Sequence, residues 1–152
     1  MKVKEIMIKE VISISPQTNA QEALDLLEKM QISGLPVIDK DGKLVGMFTE
    51  KDILRHILPG YVEKVGTFVY EEDTKAIKRK FNQLSTLQVG ELMRREVVTT
   101  SEDTSLYEVA RLMLTQKARR IPVLDKTGKV LGIIARCDIL RALRKEITLA
   151  DK

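Results

Sequence analysis

The sequence LPVIDKDGKLVGMFTEKDILR occupies residues 35–55, and IPVLDKTGKVLGIIARCDILR occupies residues 121–141. The two stretches align without a gap at an offset of 86 residues. Over the wider ranges 3–57 and 89–143 about 20 positions are identical, and most of the others exchange one apolar residue for another. Agreement of this length at one constant offset indicates that the chain contains two copies of a single structural unit.

Each copy predicts the same order of elements, β-α-β-β-α, and therefore a mixed α+β (α/β) fold. In the first copy the Asp41-Gly42 pair marks a tight hairpin between two apolar runs. The elements predicted for the first copy are a strand at 11–14, a helix at 19–31, strands at 35–38 and 43–48, and a helix at 49–57. Those predicted for the second copy are a strand near 97–100, a helix near 105–117, a hairpin at 121–134 and a helix from 136 to about 145.

The repeat also predicts the domain boundaries. The predicted segments are unit 1 at 1–57, a connector at 58–88, unit 2 at 89–146 and a tail at 147–152. Because a unit of roughly 55 residues buries little apolar surface, we expect the halves to pack together with pseudo-two-fold symmetry. In the connector, Ile77, Phe81 and Leu84 are spaced for one face of a helix near 74–86. Its basic cluster is either a solvated face or a binding patch: Lys75, Lys78, Arg79 and Lys80.

Composition narrows the class of protein. The chain has 152 residues, of which 43% are apolar and 32% are charged, and its net charge is +4. A surplus this small does not indicate a nucleic-acid-binding protein. The single cysteine, Cys137, excludes an intramolecular disulfide and is typical of a reducing compartment. Since the chain shows neither a signal peptide nor a long apolar run, the prediction is a cytoplasmic protein with no membrane partner.

The repeated motif resembles a known family. Each copy carries a Pro-Val-hydrophobic-Asp hairpin, followed by Gly-hydrophobic-hydrophobic-x-x-x-Asp-Ile-Leu. This pattern is similar to a tandem pair of cystathionine-β-synthase (CBS) domains, and it covers essentially the whole chain, which implies a protein made of CBS domains alone. The resemblance implies a disc-like module whose two clefts hold AMP, ADP, ATP or S-adenosylmethionine. It also implies a homodimer formed through helices, and regulation of another, unknown protein.

The resemblance places a ribose-phosphate motif at Gly46 to Asp52. The Asp52 carboxylate can accept from both hydroxyls of a ribose, and the Thr49 hydroxyl with the free N–H groups of the helix start would suit a phosphate. An alternative needs no ligand, because Thr49 and Asp52 also fit a capping box. In the second copy Asp138 is retained, whereas Ala135 replaces the threonine. That replacement departs from the family pattern and weakens the prediction of phosphate binding on that side.

Arginines can compensate for the missing hydroxyl. Arg119 and Arg120 directly precede the second hairpin, and Arg136 begins the last helix. Guanidinium groups suit phosphate oxygens, and the family resemblance places a phosphate-contacting cation at Arg120. The alternative is that Arg119 and Arg120 pair with surface carboxylates. The first copy carries the uncharged Ser33 and Gly34 at these positions, so the two clefts are predicted to be chemically unequal.

The resemblance further implies an adenine site built from short apolar and backbone groups. The positions concerned are Ile32, Ser33, Gly34 and Pro36 in the first copy, Ala118, Arg119 and Pro122 in the second, and Lys4 and Gly90 at the start of each unit. His56 is interpreted as structural, because no acid or nucleophile lies at a catalytic spacing from it. Cys137 is interpreted as inert, because neither a resolving cysteine nor a catalytic histidine accompanies it. Without a Cys/His cluster no metal site is predicted, although magnesium could accompany a triphosphate.

These observations lead to one main hypothesis and its competitors. The main hypothesis is a non-catalytic regulatory module that binds an adenosine-containing ligand, preferably AMP, ADP or ATP, and signals by a conformational shift to a partner. The alternatives are a structural dimerisation or interaction module without a ligand, and a sensor of S-adenosylmethionine. Nucleic acid is disfavoured as a partner because no aromatic residues are interleaved with the charges. An enzyme is not predicted, since no nucleophile, base and orienting group can be assembled.

Overall fold

The computed structural model of the protein describes residues 1–58 and 74–150. It divides into two compact units, and neither unit is formed by one repeat alone. The Asp52 unit consists of Ser13–Asp39 and the described residues of Val45–Arg95. The Asp138 unit consists of Met1–Ile12, Lys40–Leu44 and the described residues of Glu96–Lys152.

The Asp52 unit combines a two-stranded sheet with helices. Its elements are α1 (Ala20–Met30), β1 (Gly34–Ile38), β2 (Leu44–Thr49), α2 (Glu50–Ile57), α3 (Thr74–Asn82) and α4 (Val89–Leu92), with a 3-10 turn at Gln83–Thr86. Helix α1 begins after Asn19 because the Asn19 side chain accepts hydrogen bonds from the first free backbone N–H groups. The predicted strand at 11–14 is reduced to a single parallel bridge between Ile14 and Val37.

The Asp138 unit contains a three-stranded sheet. Its elements are a 3-10 turn at Val3–Glu5, β3 (Thr100–Ser101), α5 (Leu106–Thr115), β4 (Arg120–Leu124), β5 (Val130–Ala135) and α6 (Arg136–Ala150). Strand β4 lies in the middle, parallel to β3 and antiparallel to β5. Helix α6 runs well past the predicted end at 145, because neither glycine nor proline interrupts it. The mixed α+β class and the two repeated units are as predicted.

The segment that opens each repeat packs in the unit that holds the last helix of the other repeat. In the Asp138 unit, Ile8 and Ile133 exchange backbone hydrogen bonds of 2.8 and 2.9 Å. In the Asp52 unit, Met47 and Arg94 do the same, at 2.8 and 2.9 Å. The repeat alone predicts that residues 1–12 belong with the rest of the first copy, whereas Met1–Ile12 packs in the Asp138 unit.

Each unit has its own apolar core. The opening segments contribute the fully buried side chains Val3 and Val89 to the Asp138 and Asp52 cores, respectively. In the connector Leu84 is fully buried in the Asp52 core, since the turn that carries it packs against α1. Just before this turn a helix occupies Thr74–Asn82, within the range 74–86 that the apolar spacing of the connector predicts.

The tips of the two hairpins pair with each other within the Asp138 unit. Leu44 N–H donates to the Gly128 carbonyl and Val130 N–H donates to the Gly42 carbonyl, both at 3.1 Å. Both glycines have positive φ, +82° and +91°, which a glycine adopts without strain. At the second tip the Asp125 carboxylate accepts from the Thr127 hydroxyl at 2.7 Å and from two backbone N–H groups.

These hydrogen bonds lower the pKa of the Asp125 carboxyl, and the Thr127 hydroxyl is the largest cause. Asp125 therefore contributes stability above the pKa it has in the unfolded chain, and that contribution is lost as the pH falls through its lowered folded pKa. We expect Thr127→Val to raise the pKa of Asp125, as measured by a carbon-detected NMR titration. Thr148→Val, which removes a hydroxyl bonded to the Arg144 carbonyl, is the control. Equal Asp125 titrations in the two variants would contradict the assignment.

Candidate functional site

The Asp52 carboxylate lies at the start of α2. The side chain is only 6% exposed. Its Oδ2 accepts from the backbone N–H of Thr49 at 2.8 Å and from the Thr49 hydroxyl at 3.1 Å. Its Oδ1 lies 3.5 Å from Arg55 Nη1, at the surface. The capping alternative therefore describes the local geometry of Thr49 and Asp52.

Asp138 repeats this arrangement at the start of α6. It is also 6% exposed, and its Oδ2 accepts from the backbone N–H of Ala135 at 2.8 Å. Its Oδ1 lies 3.6 Å from Arg141 Nη1. Because a carboxylate offers about four lone-pair positions, the capping contact leaves acceptor capacity on Oδ1. Capping and ligand binding are therefore compatible functions of the same side chain.

The three candidate arginines lie beside Asp138. Arg136 N–H donates to the Arg119 carbonyl at 3.3 Å, and Arg120 is opposite Ala135 in the β4–β5 pair. Within residues 1–58 and 74–150 none of the three guanidinium groups pairs with a carboxylate. The alternative that Arg119 and Arg120 form surface ion pairs is thus not seen in the described chain.

The equivalent corner of the Asp52 unit consists of Ser33, Gly34 and Glu50, and it is tightly packed. Glu50 N–H donates to the Ser33 carbonyl at 3.0 Å. A Cβ on Gly34 would lie 2.8 Å from the Thr49 side chain, so the close approach of β1 to this residue requires glycine. The two corners share a backbone geometry and differ in their side chains.

The remaining candidates are divided between the units. Lys4 lies in the Asp138 unit, where its Nζ is 3.2 Å from Asp103 and lowers the pKa of that carboxyl. Gly90 lies in the Asp52 unit, where its N–H donates to the Pro16 carbonyl at 2.8 Å. Two half-buried candidates, Ile32 and Ala118, precede the first strand of each hairpin, and two buried candidates, Pro36 and Pro122, lie in the middle of β1 and β4. The exchange of opening segments thus joins each start position to the aspartate of the other repeat.

A cavity of about 440 Å³ opens beside Asp138. Its lining consists of Met1, Glu5, Ile6, Asp138, Arg141, Ala142 and Lys145. Asp138 is the single predicted site residue in this lining, and the other six were missed. Residues 138, 141, 142 and 145 lie on one face of α6, so their spacing in the sequence could have identified the part of the lining that α6 contributes. The N-terminal side could not be found from sequence, because it depends on the segment exchange.

The described part of the chain also bears on metal binding and on membrane-spanning helices. No group of three or more His, Cys, Asp or Glu side chains there is placed to hold a metal ion. No helix among the described residues is both long and apolar enough to cross a membrane. Cys137 is exposed, and the Nε2 atom of His56 is buried without a hydrogen-bond partner among the described residues.

The family profile of the CBS domain matches residues 3–59 and again residues 89–145. The chain belongs to the CBS domain family. The resemblance of the two hairpin-and-helix motifs to a tandem CBS pair is thereby confirmed. The fold agrees as well, since the solved structures that it matches include CBS-pair proteins.

Two curated relatives contain a segment that is similar to this chain. An inosine-5'-monophosphate dehydrogenase of Methanocaldococcus jannaschii is 32% identical over 99% of this chain, which spans 25% of that enzyme's length. The chloroplastic CBS domain-containing protein CBSX1 of Arabidopsis thaliana is 35% identical over 85% of this chain, which spans 57% of it. The CBS pair thus covers only part of each of these relatives.

Two solved structures carry adenosine compounds. CBSX2 of Arabidopsis thaliana, in complex with AMP, is 29% identical, with a TM-score of 0.73 over 95% of this chain and 96% of that one. The CBS domain pair of protein MJ0100, in complex with 5'-methylthioadenosine and S-adenosylmethionine, is 28% identical, with a TM-score of 0.67 over 96% and 98%. Members with this fold therefore accept adenosine compounds that differ in the charge of the 5' group.

Proposed function

We propose that this CBS pair is a non-catalytic regulatory module that binds an adenosine-containing ligand and transmits a conformational change to a partner protein. The observation that carries the proposal is the duplicated aspartate. Asp52 and Asp138 are both held rigidly at a helix start through Oδ2, while Oδ1 keeps acceptor capacity. The AMP complex of CBSX2 and the methylthioadenosine complex of MJ0100 support an adenosine ligand.

The chemistry of the site suits a ribose. A carboxylate accepts hydrogen bonds from two neighbouring hydroxyls at once, and charge-assisted bonds of this kind are strong. Capping fixes the rotamer of each aspartate before the ligand arrives, which lowers the entropy lost on binding. Adenine would lie against the hairpin positions Ile32, Pro36, Ala118 and Pro122, with Lys4 and Gly90 at the edges.

The preferred ligands are AMP, ADP or ATP, with magnesium accompanying a triphosphate. The guanidinium groups of Arg119, Arg120 and Arg136, which pair with no carboxylate of the described residues, supply positive charge for a phosphate. S-adenosylmethionine is the alternative ligand, which the MJ0100 complex supports. The ligand would favour one arrangement of the module over another, and the partner would respond to the shifted population. We place this function in the cytoplasm.

Isothermal titration of nucleotide-free protein with AMP, ADP, ATP, methylthioadenosine and S-adenosylmethionine tests the proposal. We expect saturable binding of at least one of these compounds at micromolar concentration. Guanosine monophosphate, which has the same ribose and phosphate, is the control for adenine recognition. Folded protein that binds none of the five adenosine compounds would contradict the proposed function.

A second candidate function, dimerisation, is favoured by an exposed apolar surface on α5 and α6. Tyr107 and Leu114 are seven residues apart on α5, and Leu140 and Ile147 are seven apart on α6, so each pair shares a helix face. All four are more than 60% exposed. At the α1 positions equivalent to Tyr107 and Leu114 the first repeat carries Gln21 and Glu28. We propose that α5 and α6 bury this surface in a homodimer.

Light scattering coupled to size-exclusion chromatography tests the dimer. We expect wild-type protein to elute as a dimer and Leu140→Glu to elute as a monomer, because a charge at this position would be buried without a partner. Leu54→Glu is the matched control, since Leu54 is the counterpart of Leu140 in the first repeat and is 50% exposed. A monomeric wild type, or a dimeric Leu140→Glu protein, would contradict the interface. A stable dimer that binds none of the adenosine compounds would support a purely structural module.

A further inference from the structure

The two aspartate sites differ in the charge of their surroundings. Beside Asp138, the side chains of Arg119, Arg120 and Arg136 supply three positive charges, none of them paired with a carboxylate of the described chain. Arg119 and Arg136 are exposed and Arg120 is half-buried. Backbone contacts bring all three to one corner, because Arg136 bonds to Arg119 and Arg120 faces Ala135 across the ladder.

Beside Asp52 the equivalent positions carry no net charge. Ser33 and Gly34 replace Arg119 and Arg120, and Glu50 stands where Arg136 stands in the second repeat. The neighbouring Lys51 replaces Cys137 and balances Glu50. The backbone is the same in both corners, since Glu50 N–H donates to Ser33 as Arg136 N–H donates to Arg119. The difference is therefore in side-chain charge and not in the course of the chain.

Thr49 does not compensate for the missing cations. Its hydroxyl hydrogen is donated to Asp52 Oδ2 at 3.1 Å. A hydroxyl has a single hydrogen to donate, so Thr49 can donate to a phosphate only by giving up its contact with the aspartate. The residue that follows Thr49 is the exposed Glu50, whose negative charge repels a phosphate nearby. The hydroxyl that the family pattern associates with phosphate is thus engaged inside the unit.

We propose that the two sites select adenosine compounds by the charge of the 5' group. The Asp138 site takes a nucleoside 5'-phosphate, and the Asp52 site takes an adenosine whose 5' group is uncharged or cationic, such as a thioether or a sulfonium. Arg136 and Glu50 are the specificity-determining residues. The proposal rests on the proposed function, because it requires that both aspartates bind ribose. It makes the chain a sensor of two classes of adenosine compound.

Exchanging the charges tests this selection. Isothermal titration with AMP and with 5'-methylthioadenosine would be carried out on wild-type protein and on Arg136→Glu, Glu50→Arg and Arg144→Glu. Arg144 is exposed on the same helix as Arg136, about 12 Å further along it, and its substitution changes the net charge by the same amount. Because Arg144 shares a helix face with Leu140 and Ile147, the oligomeric state of Arg144→Glu is measured beside its affinity. Asp138→Asn and Asp52→Asn would assign each ligand to its site.

We expect wild-type protein to bind one AMP tightly at the Asp138 site and methylthioadenosine at the Asp52 site. Arg136→Glu should weaken AMP binding at least tenfold and leave methylthioadenosine within twofold, whereas Arg144→Glu should change neither beyond the screened effect of net charge. Glu50→Arg should strengthen AMP binding at the Asp52 site at least fivefold.

Two results would overturn the inference while the proposed function stands: equal AMP affinity in Arg136→Glu and Arg144→Glu, or AMP binding equally well at both aspartates. A folded protein that binds neither AMP nor methylthioadenosine would overturn the inference, and it would overturn the proposed function as well if ADP, ATP and S-adenosylmethionine also fail to bind. The three outcomes are distinguishable in the same titrations.

Discussion

Asp138→Ala and Asp52→Ala are each expected to weaken adenosine binding at their own site by about 1.5–3 kcal/mol, the range for hydrogen bonds to charged groups. This corresponds to a loss of roughly ten- to 150-fold in affinity. The physical reason is that alanine leaves the two ribose hydroxyls without their acceptor in a site where water is largely displaced. Titration calorimetry with the ligand that the wild type binds measures the change.

Both alanine variants also lose a helix cap, so stability has to be measured beside affinity. Removal of the cap should cost about 1 kcal/mol of the free energy of unfolding. Thr49→Ala is the control, because it gives the Asp52 site the alanine that the second repeat carries at the equivalent position, Ala135, while keeping the carboxylate. If the aspartate variants lose only stability and bind the ligand as the wild type does, the aspartates are caps and nothing more.

Gly46→Ala and Gly132→Ala are expected to destabilise the fold by about 2–3 kcal/mol, as overpacking of a closed contact does. A Cβ on Gly132 would lie 2.8 Å from the Ile8 carbonyl oxygen and from the Met7 sulfur. A Cβ on Gly46 would lie 2.7 Å from the Arg94 carbonyl oxygen. Because both clashes involve backbone, the opening segment of one repeat has to move away from the strand of the other. Urea denaturation measures the loss.

Hydrogen exchange identifies the cause of that loss. In Gly132→Ala the amides of Ile8 and Ile133 should exchange faster, since these two residues hold the N-terminal segment on β5. The matched control is Gly128→Ala, where a Cβ would meet no atom within 4 Å and the penalty comes from a φ of +91° alone. Gly128→Ala should leave both amides protected. Unchanged protection of Ile8 in Gly132→Ala would show that the segment does not depend on this close contact.

Much of the local structure could be predicted because its causes are local. Helix α2 begins after Thr49 and α6 after Ala135, as the positions of Asp52 and Asp138 indicate. The Asp-Gly and Thr-Gly tips form hairpins, since glycine adopts the positive φ that these turns need. The end of α6 was placed too early, because the second repeat continues with residues that favour a helix and the comparison with the first repeat gave no guide there.

The candidate site could be predicted only in part. The aspartates and the arginines follow from the repeat, because a constant offset shows which positions correspond and which differ. The engagement of the Thr49 hydroxyl could not be predicted, since the same residues fit a cap and a phosphate site equally well. The cavity beside Asp138 was missed, because three of its seven lining residues come from residues 1–6, some 130 positions earlier in the chain.

The amino-acid sequence by itself determined the duplication, the order of elements in each repeat, the family, and the unequal charges beside the two aspartates. Tertiary structure alone decided which opening segment completes which unit. The physical reason is the duplication itself, because the two repeats offer nearly the same apolar strand to either segment. Val3 and Val89 are equivalent positions of the two repeats, so the local apolar pattern fits either pairing. Only the three-dimensional path of the chain separates the two pairings, and it joins the Met1–Ile12 segment to Asp138.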